Sequence, residues 1–170
     1  MKKLLIPFFV LVISLNISSQ NGRNGPSLWE EIRANSNLSY DNTKPQIIEA
    51  LKKYDSHQYL INRLSKNGQR YLFYTVSEAL KRDLPVELSL IPFIESQFDP
   101  YAQSSTGASG IWQFIPSTAK ENGLKKNWWY DARRDIVAST DAAYNFLIKL
   151  HQEHDDWLIA IAAYNAGPSR

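Results

Sequence analysis

Glu95 is the residue of this chain whose neighbours best suit acid–base chemistry. Leu84, Leu88, Ile91, Glu95 and Phe98 recur at spacings of four, three, four and three. At about 100° per residue these five positions fall within an arc of roughly 80°, one stripe of a helix. Four are apolar and one is a carboxylic acid, with Phe93 and Ile94 beside it. Burial disfavours a charged carboxylate, so its pKa should rise and it should donate a proton near neutral pH. The competing reading is a partly buried glutamate held by a cation elsewhere in the fold. Downstream, Ser104 to Gly110 (SSTGASG) form a small polar loop, followed by Ile-Trp-Gln-Phe. A loop without bulky side chains leaves a cleft beside the glutamate, and its glycines allow close backbone approach to a ligand.

Other chemistry is less well supported. Cleaving a glycosidic bond usually takes two carboxyls, and Asp99, Asp131 and Asp135 are the available second acids. None lies in an apolar setting like that of Glu95. Ser96 reads as a helix-packing hydroxyl, because no histidine pattern supports it as a nucleophile. His151 and His154 form an i,i+3 pair without a third ligand at zincin spacing, so no metal site is expected. Trp128 and Trp129 could stack on sugar faces, but adjacent side chains point different ways, so at most one does so.

The elements that must position these residues read as helices. Ile47, Ile48 and Leu51 make a short amphipathic piece after Pro45; Tyr59, Leu60 and Leu64 make another. Tyr71, Leu72, Val76, Ala79 and Leu80 trace a longer helix, which Asp83-Leu84-Pro85 interrupts. The Glu95 helix follows, with Pro85 in its first turn, and Asp99-Pro100 closes it. Ile111 to Asn122 predicts a short helix stopped at Gly123, and Asn127 to Asp131 an aromatic loop. Asp135 reads as an N-cap, with Ile136, Ala143, Leu147 and Leu150 on one stripe behind it. A last helix starts at Asp155 or Asp156 and runs from Trp157 to Ala166, ending at Gly167-Pro168. No alternating strand pattern and no repeat is visible, so the fold class is all-α.

Glu95-Ser96, Gly110-Ile-Trp-Gln-Phe114 and Ala163-Tyr-Asn-Ala-Gly167 together resemble the three signature motifs of the soluble-type (SLT) lytic transglycosylases. Each is weak by itself; the order and spacing of all three are specific, and the similarity runs from about Leu28 to the end of the chain. The resemblance implies a lysozyme-like domain, α-dominated, to which a small β-element can be added. It implies peptidoglycan glycan strands as partner and substrate, and no cofactor. The reaction would cleave the β-1,4 bond between N-acetylmuramic acid and N-acetylglucosamine and leave a 1,6-anhydro end. Such enzymes need no second acid, because the substrate's N-acetyl oxygen is thought to act as internal nucleophile; one carboxyl serves as acid and then as base.

By position, Glu95 carries over as the catalytic acid. Ser104 matches a serine contacting the carboxyl region or substrate, although a loop hydroxyl bonding its own backbone explains it too. Gln113 matches a glutamine reaching the N-acetyl sugar; otherwise it is a satisfied core amide. Tyr164, on a stripe with Trp157 and Ile161, reads as core, whereas the family places this hydroxyl near the catalytic glutamate. Asn165 would hold the motif together. Position 115 is Ile where many relatives have Met. A hydrolytic muramidase and a silent peptidoglycan-binding fragment stay open as alternatives.

At 170 residues, 44% hydrophobic and 21% charged, the chain is an ordinary globular one without cysteine. Lys2 and Lys3 precede an apolar run from Leu4 to Ile17 and then Ser18-Ser19-Gln20, which reads as a signal peptide over residues 1–20. The run is short of the ~20 residues a spanning helix needs, so no membrane span is expected in the mature chain. Export to the periplasm or cell envelope follows. Cleavage would leave 17 basic and 17 acidic residues, so nothing points to nucleic acid. Residues 21–27 read as a linker, 28–83 as an N-terminal helical part, and 84–170 as the catalytic core. The chain stops three residues after the third motif, where relatives of this kind continue with further helices, so the core reads as C-terminally truncated.

Overall fold

The computed structural model describes residues 28–38, 45 and 68–167. The expected leader and linker and the two expected short helices near Ile47 and Tyr59 lie outside the described residues. Six α-helices are numbered here among those described: α1 (Leu28–Ala34), α2 (Gln69–Lys81), α3 (Ile91–Ser96), α4 (Pro116–Glu121), α5 (Ile136–His154) and α6 (Trp157–Ala166). A 3-10 helix over Val86–Leu90 leads directly into α3. In place of strands there are isolated antiparallel bridges, Gln103–Ser109, Ser109–Phe114 and Lys126–Asp131. Among the described residues the architecture is all-α.

Local chemistry explains most helix ends. The Asp135 carboxylate accepts from the Ala138 N–H at 3.0 Å and so starts α5. Asp156 does the same for α6, accepting from Leu158 and Ile159 at 2.6 and 3.0 Å. Asp155 between them takes a left-handed conformation, φ 52°, and turns α6 back along α5. Helix α2 ends with Asp83 at φ 53° and the Leu84 N–H returning to the Ala79 carbonyl at 3.0 Å, before Pro85 prevents continuation. Its buried face, Leu72, Val76 and Ala79, packs on the 3-10 helix and reaches α5. The helix expected from Ile111 starts only at Pro116; residues 111–113 form turns instead.

The single helix expected over Leu84–Phe98 is not what forms. A proline at position 92 has no N–H to offer the Leu88 carbonyl, and it suits the first turn of a helix, so the chain restarts at Ile91. The new helix is short. It closes at Ser96, and Gln97 and Phe98 both take left-handed conformations, φ 56° and 59°. Leu84, Leu88, Ile91 and Phe98 are nevertheless buried, whereas Glu95 is half-exposed. The acid therefore stands at the edge of the core instead of on its inner stripe.

Among the described residues the fully buried glutamate is Glu87. Its Oε1 accepts from the Ser36 hydroxyl at 2.6 Å and from the Asn37 and Leu38 N–H groups at 3.0 and 2.9 Å. That oxygen holds the segment after α1 against the 3-10 helix, while Trp29 and Ile32 of α1 join the same core. Glu87→Ala leaves three donors without this acceptor and is expected to cost about 2–4 kcal/mol. Glu87→Gln keeps an acceptor oxygen and should cost less than half as much; denaturant unfolding of both variants gives the comparison.

Candidate active site

The loop between α3 and α4 is built around Trp112, which is fully buried. Its ring meets Tyr144 and Tyr164 edge-to-face at 5.3 and 6.4 Å, and its indole N–H donates to the Thr140 hydroxyl of α5 at 3.0 Å. Gly110 at φ 83° and Gln113 at φ 50° provide the sharp turns on either side. Only glycine fits at 110: a Cβ there would lie 1.7 Å from the Arg133 carbonyl oxygen.

Three elements meet at this loop. From α3, the Ser96 hydroxyl lies 2.9 Å from the Ile111 carbonyl and 3.0 Å from that of Pro92, sharing one proton between them. That is the packing role expected of it, and it fixes the end of α3, hence Glu95, to the loop. From α6, the Tyr164 hydroxyl donates to the Trp112 carbonyl at 2.8 Å. Its ring also packs on Phe114 and Phe146. Although part of the Tyr164 surface is accessible, burial pushes its phenol well above the usual range, and the nearby charge of Glu95 raises it further. Tyr164 therefore remains a protonated donor within electrostatic reach of Glu95.

Gln113 belongs to the same place. Its Nε2 donates to the carbonyls of Gly110 and Ala102 at 2.8 and 3.2 Å. Two carbonyl neighbours require the nitrogen on that side, which turns the amide oxygen the other way as an acceptor. Ser104 is different. It is half-buried, and its hydroxyl accepts from the Ala108 N–H at 3.0 Å and pairs with Thr106 at 2.9 Å, closing its own turn. Asn165 is half-buried on α6, and among the described residues its side chain makes no hydrogen bond.

The other acids are committed elsewhere. Asp99 accepts from the Tyr101 N–H at 2.8 Å, and Asp135 is the α5 cap, its carboxyl held low chiefly by the Ala138 N–H. Asp131 faces Arg133 in a two-pronged pair, 2.9 and 2.6 Å, and the guanidinium holds its carboxyl below the usual range. His151 lies flat on Trp157 at 4.1 Å, and no group of three potential metal ligands occurs among the described residues. Trp128 and Trp129 are 86% and 89% exposed, edge-to-face to each other, so they take no part in the core. Sequence reasoning missed Arg133, which is 4% exposed; nothing local distinguishes it from its exposed neighbour Arg134.

The Transglycosylase SLT domain family model matches residues 75–170. The chain belongs to the SLT transglycosylase family. That family's fold is lysozyme-like, in keeping with the helix-rich arrangement here. The SLT match spans the later part of α2, Glu95, the Trp112 loop and Tyr164. Over 126 residues the chain is 44% identical to membrane-bound lytic murein transglycosylase D of Escherichia coli (strain K12), covering 74% of this chain and 28% of that protein. A protein of Alteromonas sp. (strain M-1) named for tributyltin chloride resistance is 48% identical over 107 residues, 62% of this chain and 52% of that one. Membrane-bound lytic murein transglycosylase F of Desulfosudis oleivorans is 34% identical over 87 residues, 47% and 18% of the two chains. The chain thus spans about half or less of the length of these relatives. Among the described residues no helix is long and apolar enough to cross a membrane.

The Asp131–Arg133 pair gives a pH signature. A carboxyl whose folded pKa is depressed adds stability above its unfolded pKa, about 3.9, and loses it as pH falls through the folded value. The melting temperature should therefore drop between pH 5 and pH 3, and Asp131→Asn should show a smaller drop over that interval. Equal drops in calorimetry would exclude this pair as a contributor.

Proposed function

We propose that this chain cleaves the β-1,4 bond between N-acetylmuramic acid and N-acetylglucosamine in peptidoglycan by lytic transglycosylation, within the cell envelope. The observation that carries the reading is the convergence of Glu95, the Trp112–Gln113 loop and a protonated Tyr164, while the neighbouring aspartates are engaged as caps or in an ion pair. One carboxyl is what this reaction needs. Family membership and the names of the relatives support the same substrate class.

In this reading Glu95 gives its proton to the glycosidic oxygen as the C1–O bond breaks, with the N-acetyl oxygen of the sugar stabilising C1. The resulting carboxylate takes the proton of the C6 hydroxyl, whose oxygen closes the anhydro ring on C1, and no water is consumed. Tyr164 holds the Trp112 backbone with its one hydroxyl proton and keeps a neutral phenol near the carboxyl. The Gln113 amide oxygen is oriented to accept from the sugar's acetamido N–H. Ser104 and Asn165 would act at the rim, contacting substrate once a glycan occupies the groove.

Mass spectrometry of muropeptides released from sacculi is the test. Anhydro-ended products, one water lighter than their reducing-end counterparts, are expected. Reducing ends only would make the chain a hydrolytic muramidase, and no release with retained sacculus binding would make it a binding module. Glu95→Gln should lower release by ~10²–10⁴-fold. Because the amide is nearly isosteric and position 95 is half-exposed, the melting temperature should stay within a few degrees of the parent. A large loss of stability would mean the carboxylate is chiefly a structural ion partner.

A further inference from the structure

Arg133 is buried to 4% exposure, and its planar fork is almost fully used. Nε and Nη2 donate to the two carboxylate oxygens of Asp131, while Nη1 donates to the carbonyls of Gly107 at 2.7 Å and Phe114 at 3.2 Å. These two carbonyls bracket the loop that carries Trp112 and Gln113. The neighbouring backbone grips the same loop: Gly110 abuts the Arg133 carbonyl so closely that no Cβ fits, and Arg134 Nε reaches the Ser109 hydroxyl at 3.2 Å. Between the bracketed ends, the Ile111 carbonyl receives Ser96 and the Trp112 carbonyl receives Tyr164. The position of the loop along this grip thus sets where Gln113 stands relative to Glu95.

We infer that Arg133, oriented by Asp131, is a positioning residue that holds the Gly107–Phe114 loop in register with Glu95 and Tyr164. An arginine is needed because one planar group must satisfy a carboxylate and two carbonyls at once; an ammonium carries charge but cannot span all of them. The guanidinium touches the Asp131 carboxylate and the loop backbone, and acts on substrate through the loop. For its catalytic consequence the inference rests on the function proposed above; for the loop's placement it stands on the hydrogen bonds.

The test uses Arg133→Lys and Asp131→Asn, with Lys126→Ala as control, since Lys126 is 65% exposed and only 3.8 Å from Asp131. At a temperature where all variants are folded by circular dichroism, Arg133→Lys should lose about 10–100-fold in kcat/KM, mostly in kcat, because the loop carries groups placed for the reacting bond. Asp131→Asn should lose less and the control nothing. Amide exchange at Gly110 and Gln113 should accelerate on the order of tenfold in Arg133→Lys, while that of α2 and α5 is unchanged. Parent-like turnover and loop exchange in a folded Arg133→Lys would overturn the inference. So would global unfolding of both variants, which would make the pair a determinant of the fold. If the parent chain releases no anhydro ends, the proposed reaction fails separately, and loop exchange by itself decides the role of Arg133.

Discussion

Burial of Trp112 is the constraint on which the rest of this structure depends. An indole of this size removes roughly 150–250 Å² from water, about 4–6 kcal/mol at 25 cal/mol/Å². It sits in a loop, so the backbone must follow the ring into the core and its polar groups must be satisfied there. The indole N–H finds Thr140 on α5, and the carbonyl finds Tyr164 on α6. One residue earlier, the Ile111 carbonyl finds Ser96 at the end of α3. Three helices are fixed relative to one another because one loop residue has to be inside. The glycine at 110 and the left-handed Gln113 are the backbone conditions under which that is possible.

The same geometry allots the charged groups. Glu87 spends its Oε1 on the segment after α1, Asp135 and Asp156 start helices, and Asp131 is neutralised by Arg133. Asp131 and Asp135 are held below the usual carboxylate range by donors at hydrogen-bond distance, which suits structure and not proton donation. Glu95 is the acid among them whose charge is felt by a buried phenol. Glu95 stands instead at the edge of the core, within electrostatic reach of Tyr164 and its aromatic neighbours.

Much of this was legible in the chain. Asp135 and Gly123 mark helix ends by chemistry confined to a few neighbours, and the α2 and α5 stripes follow from residues three and four apart. The Glu95 helix was misread because its apolar spacing continued across Pro92, whose missing N–H outweighs periodicity. Glu87 was overlooked for a related reason. All five residues of the 3-10 helix are buried, so it has no polar face from which an inward carboxylate could be told apart. Ser104 shows the opposite case: its hydroxyl closes its own turn, the bland alternative that its loop composition had offered.

The sequence by itself determined the starts of α5 and α6, the stop at Gly123, the candidate acid and the three motifs around it, because each depends on residues close in the chain. Tertiary structure decided which polar groups are buried and with whom. Arg133 meets Gly107 across 26 positions and Glu87 meets Ser36 across 51. Those pairings are set by how the whole core closes around Trp112. A side chain's burial and its partner are sums over distant contacts, and local spacing does not contain them.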